Sequence, residues 1–77
     1  MRLYTTPYCQ PCQQLKAILD ELDARYTIID IACDPQAQQY LADLGVSGLP
    51  VLEDESGRMF RGNPSNRREV MMWLRTG

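Results

Sequence analysis

Residues 2–12, near the start of the chain, read RLYTTPYCQPC and carry the strongest indication of the fold. The first four of these residues form a short β-like run, and an amphipathic helical pattern begins soon after the second cysteine. A strand that leads into a helix places Cys9 where backbone N–H groups lack partners and where the helix dipole favours an anion. Such positions lower the pKa of a cysteine from about 8.5 to roughly 3.5–7.5. We therefore predict that Cys9 is an attacking thiol and that Cys12 is a shielded resolving thiol.

Length and composition are typical of one globular domain over residues 1–77. The chain has 77 residues, of which 44% are hydrophobic and 23% are charged. It contains no apolar run of the about eighteen residues that a membrane span needs, and its start lacks the apolar segment of a signal peptide. Three cysteines do not make a disulfide scaffold. We expect a monomeric cytoplasmic protein in which a disulfide is a transient catalytic state.

Charge is distributed unevenly along the chain. The formal net charge of −2 gives no support for binding to nucleic acid. Beyond Gly57, however, five arginines are accompanied by one acidic residue, Glu69. A basic C-terminal third suits an acidic partner or the carboxylates of a small thiol, although such charge more often belongs to a solvated helix face.

The pattern after the first helix predicts the element order βαβαββα. The predicted elements are a strand over 26–31, a helix between the cap Asp34-Pro35 and Gly45, a hairpin of 50–53 and 58–61, and a last helix opened by Asn63-Pro64. A strand–helix–strand unit with a short crossover is parallel and almost always right-handed. Because the hairpin then adds antiparallel strands, we predict a minimal thioredoxin fold: a four-stranded mixed sheet with three helices on its two faces.

Apolar spacing predicts which helix faces pack on the sheet. The expected core positions are Leu15, Ile18, Leu19 and Leu22 in the first helix, Ala37, Tyr40, Leu41 and Leu44 in the second, and Val70, Trp73 and Leu74 in the last. These stripes indicate core packing rather than a cofactor site.

Three motifs resemble the glutaredoxin and NrdH-redoxin family, and the resemblance extends over essentially the whole chain. They are Tyr4-Thr5-Thr6-Pro7-Tyr8-Cys9-Gln10-Pro11-Cys12, Gly48-Leu49-Pro50-Val51 and Phe60-Arg61-Gly62-Asn63-Pro64. The resemblance implies a dithiol–disulfide oxidoreductase and electron carrier with no bound cofactor. It would reduce protein disulfides, with ribonucleotide reductase the favoured substrate. NADPH would supply its electrons through thioredoxin reductase or through glutathione.

The resemblance also implies a set of substrate-binding residues beside the dithiol. Pro50 is expected to be cis and to pack against the cysteines, so that the Leu49 backbone pairs with a substrate backbone. The full set is Tyr8, Gln10, Pro11, Leu49, Pro50, Gly62 and Asn63. Where glutathione-binding members have Gly-Gly-x-Asp, this chain has Gly62-Asn63-Pro64-Ser65, which has no acid, and Thr6 replaces their basic residue. Gln10 and residues 60–64 instead favour the NrdH type, in which thioredoxin reductase is the reductant.

The alternative to a redox protein is a metal-binding Cys-x-x-Cys module, a copper or zinc carrier without redox catalysis. Small copper and zinc carriers also place Cys-x-x-Cys between a strand and a helix, but their element order differs and three cysteines without histidine make a poor zinc set. We therefore predict no metal ligands. Cys33 is expected to be a small buried hydrophobe, with a regulatory or dimer-forming thiol as the alternative. Lys16 either assists the dithiol or is a solvated helix lysine, the commoner case.

Overall fold

The structure, a computed structural model, describes residues 1–76. Its elements are β1 (Arg2–Thr5), α1 (Gln10–Glu21), β2 (Thr27–Asp30), α2 (Pro35–Asp43), β3 (Val51–Glu53) and α3 (Arg67–Thr76). The sheet has the strand order β2-β1-β3, with β1 parallel to β2 and antiparallel to β3. The predicted thioredoxin-type arrangement of three helices around a mixed sheet is confirmed.

The sheet differs from the prediction in having three strands rather than four. The hairpin turn forms as expected, but its second arm is reduced to one bridge between Glu53 and Met59, with the Phe60 N–H donating to the Leu52 carbonyl at 2.9 Å. The pairing does not continue past Phe60, and Pro50, directly before β3, has no N–H with which to extend it. Beyond Phe60, a turn beginning at Asn63 leads the chain toward α3 instead.

Alternation along the strands divides the core between the two faces of the sheet. We call the side covered by α1 and α3 the α1 face and the opposite side the α2 face. The α1 face buries Leu3, Leu15, Ile18, Leu19, Leu52 and Val70, with Leu22, Trp73 and Leu74 packed at its margin. The α2 face buries Tyr4, Ala37, Leu41 and Val51. The predicted core stripes of α1 and α3 are therefore confirmed. In α2, Ala37 and Leu41 are buried, whereas Tyr40 and Leu44 are exposed.

Side-chain caps explain where α2 and α3 begin. Asp34 accepts a hydrogen bond from the Ala37 N–H at 3.1 Å, as its Asp-Pro sequence predicts, and Gly45 follows the helix with φ +73°. The predicted start of α3 was wrong by three residues. Asn63-Pro64 forms a turn, in which the Asn66 N–H donates to the Asn63 carbonyl at 3.0 Å. The helix begins at Arg67, where Asn66 accepts from the Glu69 N–H at 3.2 Å.

Candidate functional site

The two cysteines of the Cys-x-x-Cys motif meet at the start of α1. Cys9 is the N-cap residue, with extended backbone angles (φ −94°, ψ 107°), and the Cys12 N–H donates to its Sγ at 3.2 Å. The two residues are joined by a disulfide, with 5.2 Å between their Cα atoms. A sulfur at this position accepts one of the N–H groups that a helix start leaves unpaired and lies at the positive end of the helix dipole.

Burial distinguishes the two sulfurs. Cys9 is partly exposed, whereas Cys12 is only 2% exposed. Cys12 lies one turn before Leu15, so it points toward the same side of α1 as the buried leucines. It also lines a cavity of about 200 Å³ together with Pro7, Lys16 and Asp30. The Lys16 ammonium is half-exposed and lies 3.6 Å from the Asp20 carboxylate, which is the ordinary pairing of a helix-surface lysine.

A groove lies at the same end of the sheet as the dithiol. Val51 pairs with Tyr4 in the antiparallel register, so the residues just before β3 lie beside the residues just after β1. The Leu49–Pro50 bond is cis, as the resemblance implies. The groove has a volume of about 350 Å³, and its lining includes Leu49, Pro50, Phe60, Arg61 and Gly62. Three of the predicted substrate-binding residues therefore share one concave surface.

The other predicted substrate-binding residues lie outside the lining of this groove. Tyr8 is 97% exposed, and Gln10 and Pro11 are exposed in the first turn of α1. Asn63 adjoins the groove, but its N–H donates to a Glu69 carboxylate oxygen at 2.6 Å. The expectation for Cys33 was wrong, because this residue is exposed, with its Sγ 3.8 Å from an Asp30 oxygen. It follows β2, which is an edge strand of the sheet.

Glu53 is a buried acid that was not predicted from the sequence. Its side chain is fully buried and accepts hydrogen bonds from the hydroxyls of Tyr4, at 3.0 Å, and Tyr40, while Arg2 Nε lies 3.3 Å away. Burial, and then the hydrogen bond to Glu53, raises the pKa of Tyr4 to about 12. The same carboxylate raises the pKa of Tyr40, chiefly through its hydrogen bond. Antiparallel pairing brings Arg2 opposite Glu53, a relation that only the strand register defines.

The contact between Glu69 and Asn63 was also missed, although the sequence carries a signal for it. Asn66 and Glu69 have the spacing of a capping box, in which an acid three residues into a helix reaches back to a free N–H. Here the acid reaches the Asn63 N–H, beyond the cap itself. The preceding Gly62 is tightly packed: a Cβ there would lie 2.8 Å from Phe60 Cζ and 2.9 Å from Glu69 Oε2.

Membrane-spanning and metal-binding features are absent from residues 1–76. No helix in this part of the chain has the length and apolar character needed to cross a membrane. Nor do any three His, Cys, Asp or Glu residues of the described chain cluster in a way that could hold a metal ion.

This fold, with a Cys-x-x-Cys disulfide at the start of its first helix, defines a thioredoxin-fold dithiol protein. Residues 2–55 match the family model described as Glutaredoxin, so the chain belongs to the glutaredoxin family, whose members are dithiol–disulfide oxidoreductases. The chain is also similar to the Gene 56 protein of Mycobacterium phage D29, at 33% identity over 51 residues. That match spans 65% of this chain and 57% of the phage protein's length.

Solved structures share the fold. A point mutant of the thioredoxin-like protein BC3987 superposes with a TM-score of 0.78 at 23% identity, over 95% of this chain and 96% of that chain. The glutaredoxin-like protein NrdH-redoxin from Escherichia coli superposes with a TM-score of 0.75 at 21% identity, over 94% of this chain and 93% of its own.

Proposed function

We infer that this chain is a glutaredoxin-like electron carrier that reduces protein disulfides through Cys9 and Cys12. The observation that carries the proposal is the asymmetry of the pair at the start of α1. Cys9 is partly exposed at the helix N-terminus and its sulfur accepts an N–H, whereas Cys12 is buried behind it. An attacking thiolate needs exposure and stabilisation of its negative charge, and only Cys9 has both.

The reaction proceeds by two exchanges of sulfur partners. The Cys9 thiolate attacks one sulfur of a substrate disulfide, forming a mixed disulfide and releasing the other substrate sulfur as a thiolate. Cys12 then loses its proton and attacks Cys9 Sγ. The second substrate sulfur leaves as a thiolate and takes up a proton, and the Cys9–Cys12 disulfide remains. Two electrons from an external reductant restore the dithiol, so no bound cofactor takes part.

The groove beside the dithiol would bind the substrate. A substrate segment that brings its disulfide to Cys9 would lie along Leu49, Pro50 and Gly62, which share this concave surface at the dithiol end of the sheet. In this arrangement the Leu49 backbone pairs with the substrate backbone. Tyr8, Gln10, Pro11 and Asn63 would contact the partner from outside the groove lining.

We further propose that thioredoxin reductase supplies the electrons and that ribonucleotide reductase receives them. Gln10 and the segment Phe60–Pro64 support this assignment by their resemblance to NrdH-redoxins. It is consistent with the fold shared with the glutaredoxin-like NrdH-redoxin of Escherichia coli, a protein with a thioredoxin-like activity profile. We place this activity in the cytoplasm, in a monomer that acts as one domain over residues 1–77.

Parallel NADPH assays test the assignment. Reduction of the Cys9–Cys12 disulfide is followed with thioredoxin reductase and, separately, with glutathione plus glutathione reductase. Ribonucleotide reductase turnover with this protein as the only electron donor tests the substrate. Turnover with glutathione alone would contradict thioredoxin reductase as the electron donor, but not the reduction of protein disulfides through Cys9 and Cys12. If neither system reduces the disulfide, copper and zinc titrations of the dithiol are the next experiment.

Cysteine variants test the roles of the two sulfurs. We expect Cys9→Ser to abolish reduction of a protein disulfide and Cys12→Ser to accumulate a mixed disulfide, detected by mass spectrometry. Cys33→Ser is the matched control because it removes an exposed thiol that is outside the disulfide. An active Cys9→Ser protein would refute the mechanism.

A further inference from the structure

The loop between the groove and α3 has its backbone donors occupied internally. The Asn63 N–H donates to Glu69 Oε2 at 2.6 Å, the Ser65 N–H to Asn63 Oδ1 at 2.9 Å, and the Asn66 N–H to the Asn63 carbonyl at 3.0 Å. Pro64 has no N–H. Every backbone donor from residue 63 to residue 66 is therefore bonded within the protein.

The Glu69 carboxylate lies at the rim of the groove. Oε2 would be 2.9 Å from a Cβ placed on Gly62, a residue of the groove lining, so the carboxylate packs directly against that glycine. The neighbouring lining residue Arg61 is exposed and makes no ion pair within residues 1–76. A backbone N–H at the edge of a groove whose lining includes an arginine suits the carboxylate of a bound ligand. In this protein the N–H is already bonded to a carboxylate of its own α3.

We propose that Glu69 is a specificity-determining residue that occupies this anion position and thereby selects against small anionic thiols, such as glutathione, as reductants. The inference rests on the proposed function and deepens it. A ligand carboxylate approaching Asn63 has to displace Glu69 or lie beside it, and both are unfavourable because the two groups carry like charge. A protein reductant or an uncharged thiol can reach Cys9 without using the Asn63 N–H.

The affected step is reduction of the disulfide. A glutathione thiolate attacks Cys9 Sγ, the Cys9–Cys12 bond breaks, and Cys12 leaves as a thiolate that takes up a proton. A second glutathione thiolate attacks the sulfur of the bound glutathione, so that glutathione disulfide and the Cys9 thiolate are released. Dithiothreitol also supplies two electrons to the same disulfide, but it carries no carboxylate.

The experiment compares the rates at which glutathione and dithiothreitol reduce the oxidised protein, followed by alkylation of the thiols and mass spectrometry. We expect Glu69→Ala to raise the glutathione-to-dithiothreitol rate ratio about tenfold, the usual size of one charge-assisted hydrogen bond. Glu69→Gln keeps an acceptor for Asn63 and loses the charge, so we expect an increase of about threefold. Glu55→Gln is the control, because this exposed glutamate bonds the N-terminus at the other end of the sheet.

The outcomes separate this proposal from the proposed function. An unchanged rate ratio in both Glu69 variants would overturn the role of Glu69, even if the dithiol reduces insulin normally. If dithiothreitol-reduced protein fails to reduce insulin, the proposed function fails, while the rate ratio still measures selection at the groove. If Glu69→Ala does not fold, by circular dichroism, the isosteric Glu69→Gln variant decides alone.

Discussion

The two faces of the sheet are held together by different physics. The six buried side chains of the α1 face are all aliphatic. The α2 face has four buried hydrophobic residues and, next to them, the fully buried Glu53 carboxylate with its two tyrosines and Arg2. Apolar burial is non-directional and scales with area, whereas hydrogen bonds define specific partners. The α1 face therefore derives its stability from close packing, and the α2 face adds a polar network that links β1, β3 and α2.

The difference matters because the dithiol is attached to only one of these faces. Leu15, Ile18 and Leu19 follow Cys12 on the buried side of α1, and together they determine the rotation of the helix about its axis. Close packing tolerates little movement. The position of Cys12 behind Cys9 is thus set by the aliphatic face, at a distance from the titrating groups of the α2 face.

Removing a buried leucine from the α1 face is expected to have the largest effect. Leu19 is fully buried, so Leu19→Ala leaves a cavity and should lower the free energy of unfolding by about 3–5 kcal/mol. A domain of this size has roughly 4–12 kcal/mol in total. Leu41→Ala on the α2 face, where the leucine retains slight exposure, should cost about 2–3 kcal/mol. Urea unfolding measures both, and equal losses would show that the faces do not differ in packing.

The polar network should show the next largest effect. Tyr4→Phe leaves the buried Glu53 carboxylate with one hydrogen-bond donor fewer, at a cost of about 1–3 kcal/mol. Tyr26→Phe is the matched control, since its hydroxyl also donates to a carboxylate, but this carboxylate, that of Asp20, is exposed rather than buried. We expect the control to cost less than about 1 kcal/mol. If both variants lose the same stability in urea, burial of Glu53 contributes nothing.

Alkaline pH should weaken the network through its tyrosines. An unfolded tyrosine ionises near pH 10, whereas burial and Glu53 raise the pKa of Tyr4 to about 12 in the folded protein. The unfolded state therefore releases its proton first, so stability is full below pH 10 and declines between pH 10 and 12. Thermal unfolding against pH measures this decline. Tyr4→Phe should make it shallower without removing it, because the pKa of Tyr26 is also raised to about 12, by burial and Asp20. An identical decline in the variant would exclude a contribution from Tyr4.

The cap of α2 should have the smallest effect. Asp34→Ala removes the acceptor for the Ala37 N–H and should cost about 1 kcal/mol of stability. Asp34→Asn keeps an acceptor oxygen and should lose only a few tenths of that amount. Because α2 lies on the face opposite the dithiol, we expect both variants to reduce disulfides at the normal rate. A large loss of activity would mean that α2 and the dithiol are coupled.

Much of the fold could be predicted from local sequence. Apolar spacing identified the buried sides of α1 and α3, and Asp34-Pro35 identified the start of α2, because helix periodicity and capping depend on residues only a few positions apart. The same local rule was wrong for Asn63-Pro64. These residues form a turn in which the Asn63 carbonyl accepts the Asn66 N–H, and the helix begins only at Arg67. The predicted fourth strand did not form, because residues 58–61 are joined to β3 by only one bridge, and Pro50, next to β3, has no N–H that could lengthen the pairing.

Local sequence was enough to predict the three helices, the first three strands, the buried sides of α1 and α3, and the Cys-x-x-Cys pair between a strand and a helix. Only the packed protein shows that Cys33 is exposed, that Glu53 is buried beneath Tyr4 and Tyr40, and that the Asn63 N–H is bonded to Glu69. The two sets of features differ in the range of the interactions that produce them. Propensity, periodicity and capping act within one or two turns of chain, whereas burial and charge pairing depend on strand register and on which elements pack together.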